Sequence, residues 1–137
     1  MHRVTADSNI YISALLFGGK PLTLLEMAHE GQIELAVSDD LLTEALGVLR
    51  DKFQRTPEQL SQDEASIVAV TRHVVPAERL DVVPSDPDDN RVLECAAAAG
   101  SETIVTGDGD LLRLGSFRGM KISTVSDFLA GLQVRGR

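Results

Sequence analysis

The sequence predicts an α/β domain, a three-layer α/β/α arrangement with a short parallel sheet at its centre. Three observations carry that expectation. Short Val- and Ile-rich runs recur along the chain, at "RVTA" (Arg3 to Ala6), "IELAV" (Ile33 to Val37), "TIVT" (Thr103 to Thr106) and "MKIST" (Met120 to Thr124). Helical patterns separate them, which is how parallel strands are connected and covered on both faces. Most of the helical segments also carry a start or stop signal of their own.

Taken in order, "RVTA" is a strand that ends at Asp7. "SNIYISALLFGG" reads as a helix, with Ile12, Leu15 and Leu16 on one face and Gly18–Gly19 as its stop. "KPLTLLEMAHEG" begins a second helix, with Pro21 in its first turn and an end at Gly31. After the strand "IELAV", Ser38 is placed to cap a helix running to about Phe53. Thr56, Pro57 and Gln59 form a capping box for a fourth helix, expected to reach about His73. "HVVPAERLDVV" holds one or two extended pieces broken by Pro76. "DDNRVLECAAAAG" is an Ala-rich helix closed by Gly100. The strands "TIVT" and "MKIST" follow, then a short last helix, "VSDFLAGL". No repeat, low-complexity tract or Gly/Ser linker interrupts the 137 residues, so residues 1–137 read as a single domain.

Composition narrows the function. No apolar run approaches the roughly 18 to 20 residues of a membrane span, and Asp7 falls where a signal peptide would be apolar, so neither membrane nor export is expected. Cys95 is the only cysteine, which excludes an internal disulfide and fits a cytoplasmic location. The net charge is −8, from 21 acidic and 13 basic residues. Taken alone this argues against nucleic acid, because phosphate binding usually rests on Lys and Arg. The argument reverses where acids gather around a divalent cation.

Four acidic places qualify. Asp7 follows the first strand directly, and Asp108 with Asp110 in "TGDGD" follow "TIVT" directly. Both therefore lie beyond the carboxyl ends of strands, where open parallel sheets bind their ligands. Glu44, in "SDDLLTEAL", lies at the margin of the stripe formed by Leu41, Ala45, Val48 and Leu49. Asp86, Asp88 and Asp89 open the Ala-rich helix. Each has a structural alternative: Asp7 as a helix cap, Glu44 as a solvated helix residue, the "DPDDN" acids as caps answering the helix dipole. The alternative for "TGDGD" is an acidic turn whose glycines supply positive φ. An EF-hand is excluded because Arg91 stands at its glycine position and Ala97 at its closing glutamate. Asp89 is the preferred ligand of its group, with Asp86 and Asp88 as substitutes. Oxygen-only ligands favour Mg²⁺ or Mn²⁺. His2, His29 and His73 lack zinc-ligand spacing, and Cys95 reads as helix packing.

"VTADSNIYISALL", "VSDDLLTEALGVL" and "DPDDNRVLECAAAAGSETIVTGDGDLL" together resemble the PIN-domain nucleases, in particular bacterial PIN-family toxin components of toxin–antitoxin systems. The resemblance covers nearly the whole chain and implies a Rossmann-like PIN fold. It implies that Asp7, Glu44, Asp89 and Asp108 form a catalytic pocket holding one or two Mg²⁺ or Mn²⁺ ions, with Asp110 as a variable fifth acid. Asn9 and Thr106 match supporting polar positions. Ser8 replaces a common Thr, and Gly109 stands where relatives often carry Lys or Arg, which removes a phosphate contact. The implied activity is endonucleolytic hydrolysis of single-stranded RNA, leaving a 5′-phosphate and a 3′-hydroxyl. The implied partners are an RNA substrate, an antitoxin protein and a second copy of the chain. Lys20, Arg91, Arg113 and Arg118 are the candidate phosphate contacts, and the stripes Leu22–Met27 and Ile67–Val70 the candidate self-association faces. A non-catalytic PIN-like module binding protein or RNA is the alternative. A haloacid-dehalogenase-type enzyme is disfavoured by Asn9, where that chemistry needs a second Asp.

Overall fold

The computed structural model describes residues 1–135. It begins with β1 (His2–Ala6), α1 (Ser8–Phe17), α2 (Gly19–His29) and β2 (Ile33–Val37). Then come α3 (Asp39–Phe53), α4 (Pro57–Val70) and β3 (Thr71–His73). The remainder is α5 (Pro87–Ala99), β4 (Thr103–Val105), α6 (Gly109–Leu114), β5 (Ser116–Phe117), β6 (Met120–Ser123) and α7 (Val125–Arg135). The sheet order is β3-β2-β1-β4-β6-β5, parallel throughout except for the β5–β6 pair.

The three-layer expectation holds. Consecutive strand residues point to opposite faces, yet Val4, Thr5 and Ala6 of β1 are all buried, as are Thr103, Ile104 and Val105 of β4. Both faces of the central strands are therefore covered. Right-handed crossovers put α1 to α4 on one face and α5 with α6 on the other, and α7 packs against α2. Leu24, Leu25 and Ile67 are core residues, while Leu22 and Val68 are exposed, so each stripe considered for self-association is divided between core and surface. Among the described residues no single helix is long and apolar enough to cross a membrane.

The helix starts lie where their chemistry put them. Ser38 caps α3 by accepting from Leu41 N, and Thr56 and Gln59 form both halves of the capping box of α4. Three expectations need correction. The fourth helix stops at Val70 rather than near His73, because Thr71–His73 pair with Leu35–Val37 at the open edge of β2. Arg72 reinforces that pairing with a 2.7 Å ion pair to Glu34. Beyond His73, the segment expected to hold extended pieces is loop up to α5. Finally, "TGDGDLL" is a helix start: Asp108 caps α6, and neither Gly107 nor Gly109 has a positive φ. Gly115 and Gly119, flanking β5, do.

Candidate metal centre

Three helix starts meet at the carboxyl edge of β1 and β4, and an aspartate caps each. Asp7 accepts from Asn9 N (2.9 Å) and Ile10 N (3.3 Å) through Oδ1 at the start of α1. Asp86 accepts from Asp88 N through Oδ1 at the start of α5 (3.1 Å). Asp108 accepts from Asp110 N (2.8 Å) and Leu111 N (3.1 Å) through Oδ1 at the start of α6. The capping alternative is therefore correct for Oδ1 of Asp7 and Asp86, and Asp108 caps in the same way where an acidic turn was expected; the second oxygen of Asp7 accepts from Thr106. The positive ends of α1 and α5 also soften the repulsion among the acids.

Carboxylate oxygens of two of these caps and of Asp89 converge. Asp86, Asp89 and Asp108 each offer a carboxylate oxygen within 4.8 Å of the other two. Asp7, Glu44 and Asp88 line the same small cavity, of about 40 Å³, together with Ser8 and Asn9. That is room for an ion or a few waters. The carboxylate Asp86 joins Asp89 rather than replacing it. Asp89 Oδ2 is buried and has no hydrogen-bond partner among the described residues. A buried carboxylate oxygen without a partner is costly, and a hard cation is the ligand that satisfies such an atom while offsetting its neighbours.

The electrostatics agree. Burial, then the hydrogen bond and charge of Asp108, push the Asp89 carboxyl up to about 8. Burial, with the charges of Asp88, Asp7 and Asp86, pushes Glu44 up to about 7 against the pull of the Ser8 hydroxyl. Burial also raises Asp7, though the Thr106 hydroxyl and two backbone N–H groups pull it back. Thr106 is fully buried. Its hydroxyl donates to Asp7 Oδ2 and accepts from Asp108 N at 2.9 Å, so one side chain orients acids from two strand ends. Asn9 acts on Asp7 through its backbone N–H.

Asp110 points elsewhere: it pairs with Arg113 and accepts from Ser85 Oγ. The candidate phosphate contacts are also engaged. Arg91 donates to Leu80 O and pairs with Glu94, Arg118 pairs with Glu78, and Lys20 donates to Ser126 Oγ. Burial pushes the Cys95 thiol up to about 11, leaving a protonated packing residue.

Sequence reasoning missed the second polar cluster of α5. Glu94 is fully buried and accepts from Leu80 N (2.7 Å), Arg79 (3.2 Å) and Arg91 (2.9 Å). Asn90 accepts from Val82 N and Val83 N and donates to Val83 O. Together they fasten the loop before α5 and so hold Asp86 over the cavity. The available signal was polar Asn90 and Glu94, spaced i, i+4, beside the buried Leu93 on a helix otherwise rich in Ala.

Fold and site thus define a parallel α/β domain with an acidic, cation-seeking cup at its ligand-binding edge. The chain belongs to the PIN domain family, whose sequence pattern matches residues 3–110. No curated protein matches it. Among the solved structures that resemble it in fold are the following two. A chain in the structure of VapBC2 from Rickettsia felis, bound to a DNA fragment from its promoter, has a TM-score of 0.65 at 16% identity, covering 89% of this chain and 98% of that one. VapC20 of Mycobacterium tuberculosis, a Sarcin-Ricin loop cleaving toxin, has a TM-score of 0.57 at 14% identity, covering 86% and 98%.

Proposed function

We propose that the protein is a metal-dependent endoribonuclease acting on single-stranded RNA, and the toxin of a toxin–antitoxin pair. Membership of the PIN domain family supports a nuclease. The toxin reading is supported by the fold shared with VapBC2 and with the RNA-cleaving VapC20. The observation that carries the reading is the convergence of Asp86, Asp89 and Asp108 within 4.8 Å, with the buried Asp89 Oδ2 unpartnered among the described residues.

In this reading Asp7, Asp89 and Asp108 hold the ion, Asp86 completes the cup, and Asp110 plays no direct part. When bound, Mg²⁺ or Mn²⁺ supplies Lewis acidity, activating a water and offsetting phosphate charge. Glu44, which lines the cup beside these ligands, would orient that water. Thr106 fixes Asp7 for the ion. The cup alone repels RNA, so both binding and cleavage require the cation. The reading includes a cytoplasmic setting, an antitoxin partner and self-association; mass measurement in solution tests the last.

The test is cleavage of a labelled RNA with Mg²⁺ or Mn²⁺, against EDTA and against Asp7→Asn and Asp108→Asn. Cleavage is expected only in the metal-loaded wild type. Either substitution should lower it by at least about a hundredfold, at or beyond the upper end of the loss typical of outer-shell partners. Equal cleavage in every sample marks a contaminant and removes the hydrolase reading. RNA binding that ignores the metal would favour a non-catalytic module.

A further inference from the structure

The cup gathers Asp7, Glu44, Asp86, Asp88, Asp89 and Asp108 around one small cavity. Even with a divalent ion in place its rim stays electronegative, so a polyanion needs a cation from the protein as it approaches. Two arginines lie on the helices whose starts build the cup. Arg91 is turned inward, donating to Leu80 O and pairing with the buried Glu94. Arg113, on α6, faces solvent, with 73% of its side chain exposed.

The position of Arg113 is specific. It stands one turn beyond Gly109, and its guanidinium folds back over that residue toward the start of the helix. A side-chain carbon at Gly109 would begin 3.2 Å from Arg113 Nη1, closer than ordinary contact. Gly109 has no positive φ, so the backbone conformation does not call for glycine there. The guanidinium does, because it fills the space beside Gly109, next in the chain to the cup acid Asp108. Asp110 holds it from another side, pairing with Arg113 Nη2 through Oδ1 and accepting from Ser85 Oγ through Oδ2 at 3.2 Å. Ser85 adjoins Asp86, so these contacts tie Arg113 to both segments that carry the converging acids. A guanidinium has five N–H donors in a fixed fork. Among the described residues Arg113 donates to Asp110 alone, and through Nη2 alone. Nη1 and Nε stay open toward the rim.

Resting on the nuclease reading above, we propose that Arg113 is a substrate-binding cation at the rim of the cup, and that it contacts an RNA phosphate adjoining the one held at the ion. A planar fork matches phosphate oxygens in geometry as well as charge. An exposed ion pair within one helix contributes little to stability, so the pairing with Asp110 matters here for where it aims the fork.

The experiment measures binding of a fluorescein-labelled pool of random-sequence, single-stranded RNA, ten nucleotides long, to the full chain by fluorescence anisotropy. Ca²⁺, a hard cation suited to oxygen ligands, is held constant, while KCl rises from about 50 to about 200 mM. Each phosphate contact on a single strand contributes about 0.7 to the slope of log affinity against log salt. Arg113→Ala should therefore reduce the slope by about 0.7 and weaken binding about fivefold near 0.1 M salt. Adding Gly109→Lys to Arg113→Ala returns a cation to the vacated space and should restore most of both. Arg50→Ala, in the last turn of α3 and paired with Asp51, should leave the slope unchanged. A wild-type slope in Arg113→Ala, or a loss that Gly109→Lys does not restore, overturns the proposal and leaves the hydrolase reading standing. Absence of RNA binding by the wild type removes both.

Discussion

Two buried carboxylates lie five residues apart on α5, and the protein treats them in opposite ways. Glu94 is surrounded by Arg79, Arg91 and the N–H of Leu80. Asp89, about 7.5 Å away along the same axis, faces Asp86 and Asp108, and its Oδ2 has no hydrogen-bond partner among the described residues. Burial penalises both charges. Only one has its compensation built into the chain. The difference separates a carboxylate that holds structure from one that awaits a ligand, and the energetics of the two should differ in sign.

The largest expected effect belongs to the compensated site. Glu94→Ala leaves the Leu80 N–H without its acceptor, while Arg79 and Arg91 keep access to water, so the cost should be about 1–3 kcal/mol. Chemical denaturation should show that loss, with Glu94→Gln milder because the amide oxygen still accepts. A variant as stable as wild type would mean that the loop before α5 is fastened by Asn90 alone. Next comes the hydroxyl that joins the two strand ends. Thr106→Val should lower metal affinity and RNA cleavage by about 10–100-fold, while Thr106→Ser restores most of both. Loss of activity without loss of metal affinity would place Thr106 outside the ion's support.

The same contrast explains what could be read in advance. Capping residues act within a few positions of themselves, so Ser38, Thr56 and Gly100 marked helix ends without knowledge of the fold. The strand–acid junctions at Asp7 and Thr106 to Asp108 were legible because a strand end is also a local feature. The partners of Glu94 were not, since Arg79 and Leu80 lie in a loop whose path depends on packing against α5. Thr71–His73 escaped for a similar reason: the helical pattern before it was strong, and the competing hydrogen bonds come from β2, distant in sequence. Asp86 was seen as a possible ligand, but only the fold could join it to Asp89 and Asp108. In "TGDGDLL" the glycines suggested a turn. The capping capacity of Asp108 decided the matter and started α6.

The smallest effects test the uncompensated site directly. With chelator present and above about pH 8, where its carboxyl is ionised, Asp89→Asn removes a buried like charge and should stabilise the protein by about 0.5–2 kcal/mol, while abolishing metal binding. The pH dependence follows from the same cause. Unfolded carboxyls titrate near 4, whereas Asp89 and Glu44 are held up at about 8 and about 7 in the fold. Between those limits the folded chain binds more protons than the unfolded one, so stability falls as pH rises. The contribution is complete below about pH 4 and is lost as pH passes through the raised values. Metal-free Tm should therefore decline between about pH 5 and about pH 8, and Asp89→Asn should flatten the decline. Added Mn²⁺ should reverse the trend, because the ion binds the ionised ligands and gains affinity as protons leave. A metal-free Tm that stays level or climbs across that interval would mean that the cup's acids are already neutralised from within, as Glu94 is.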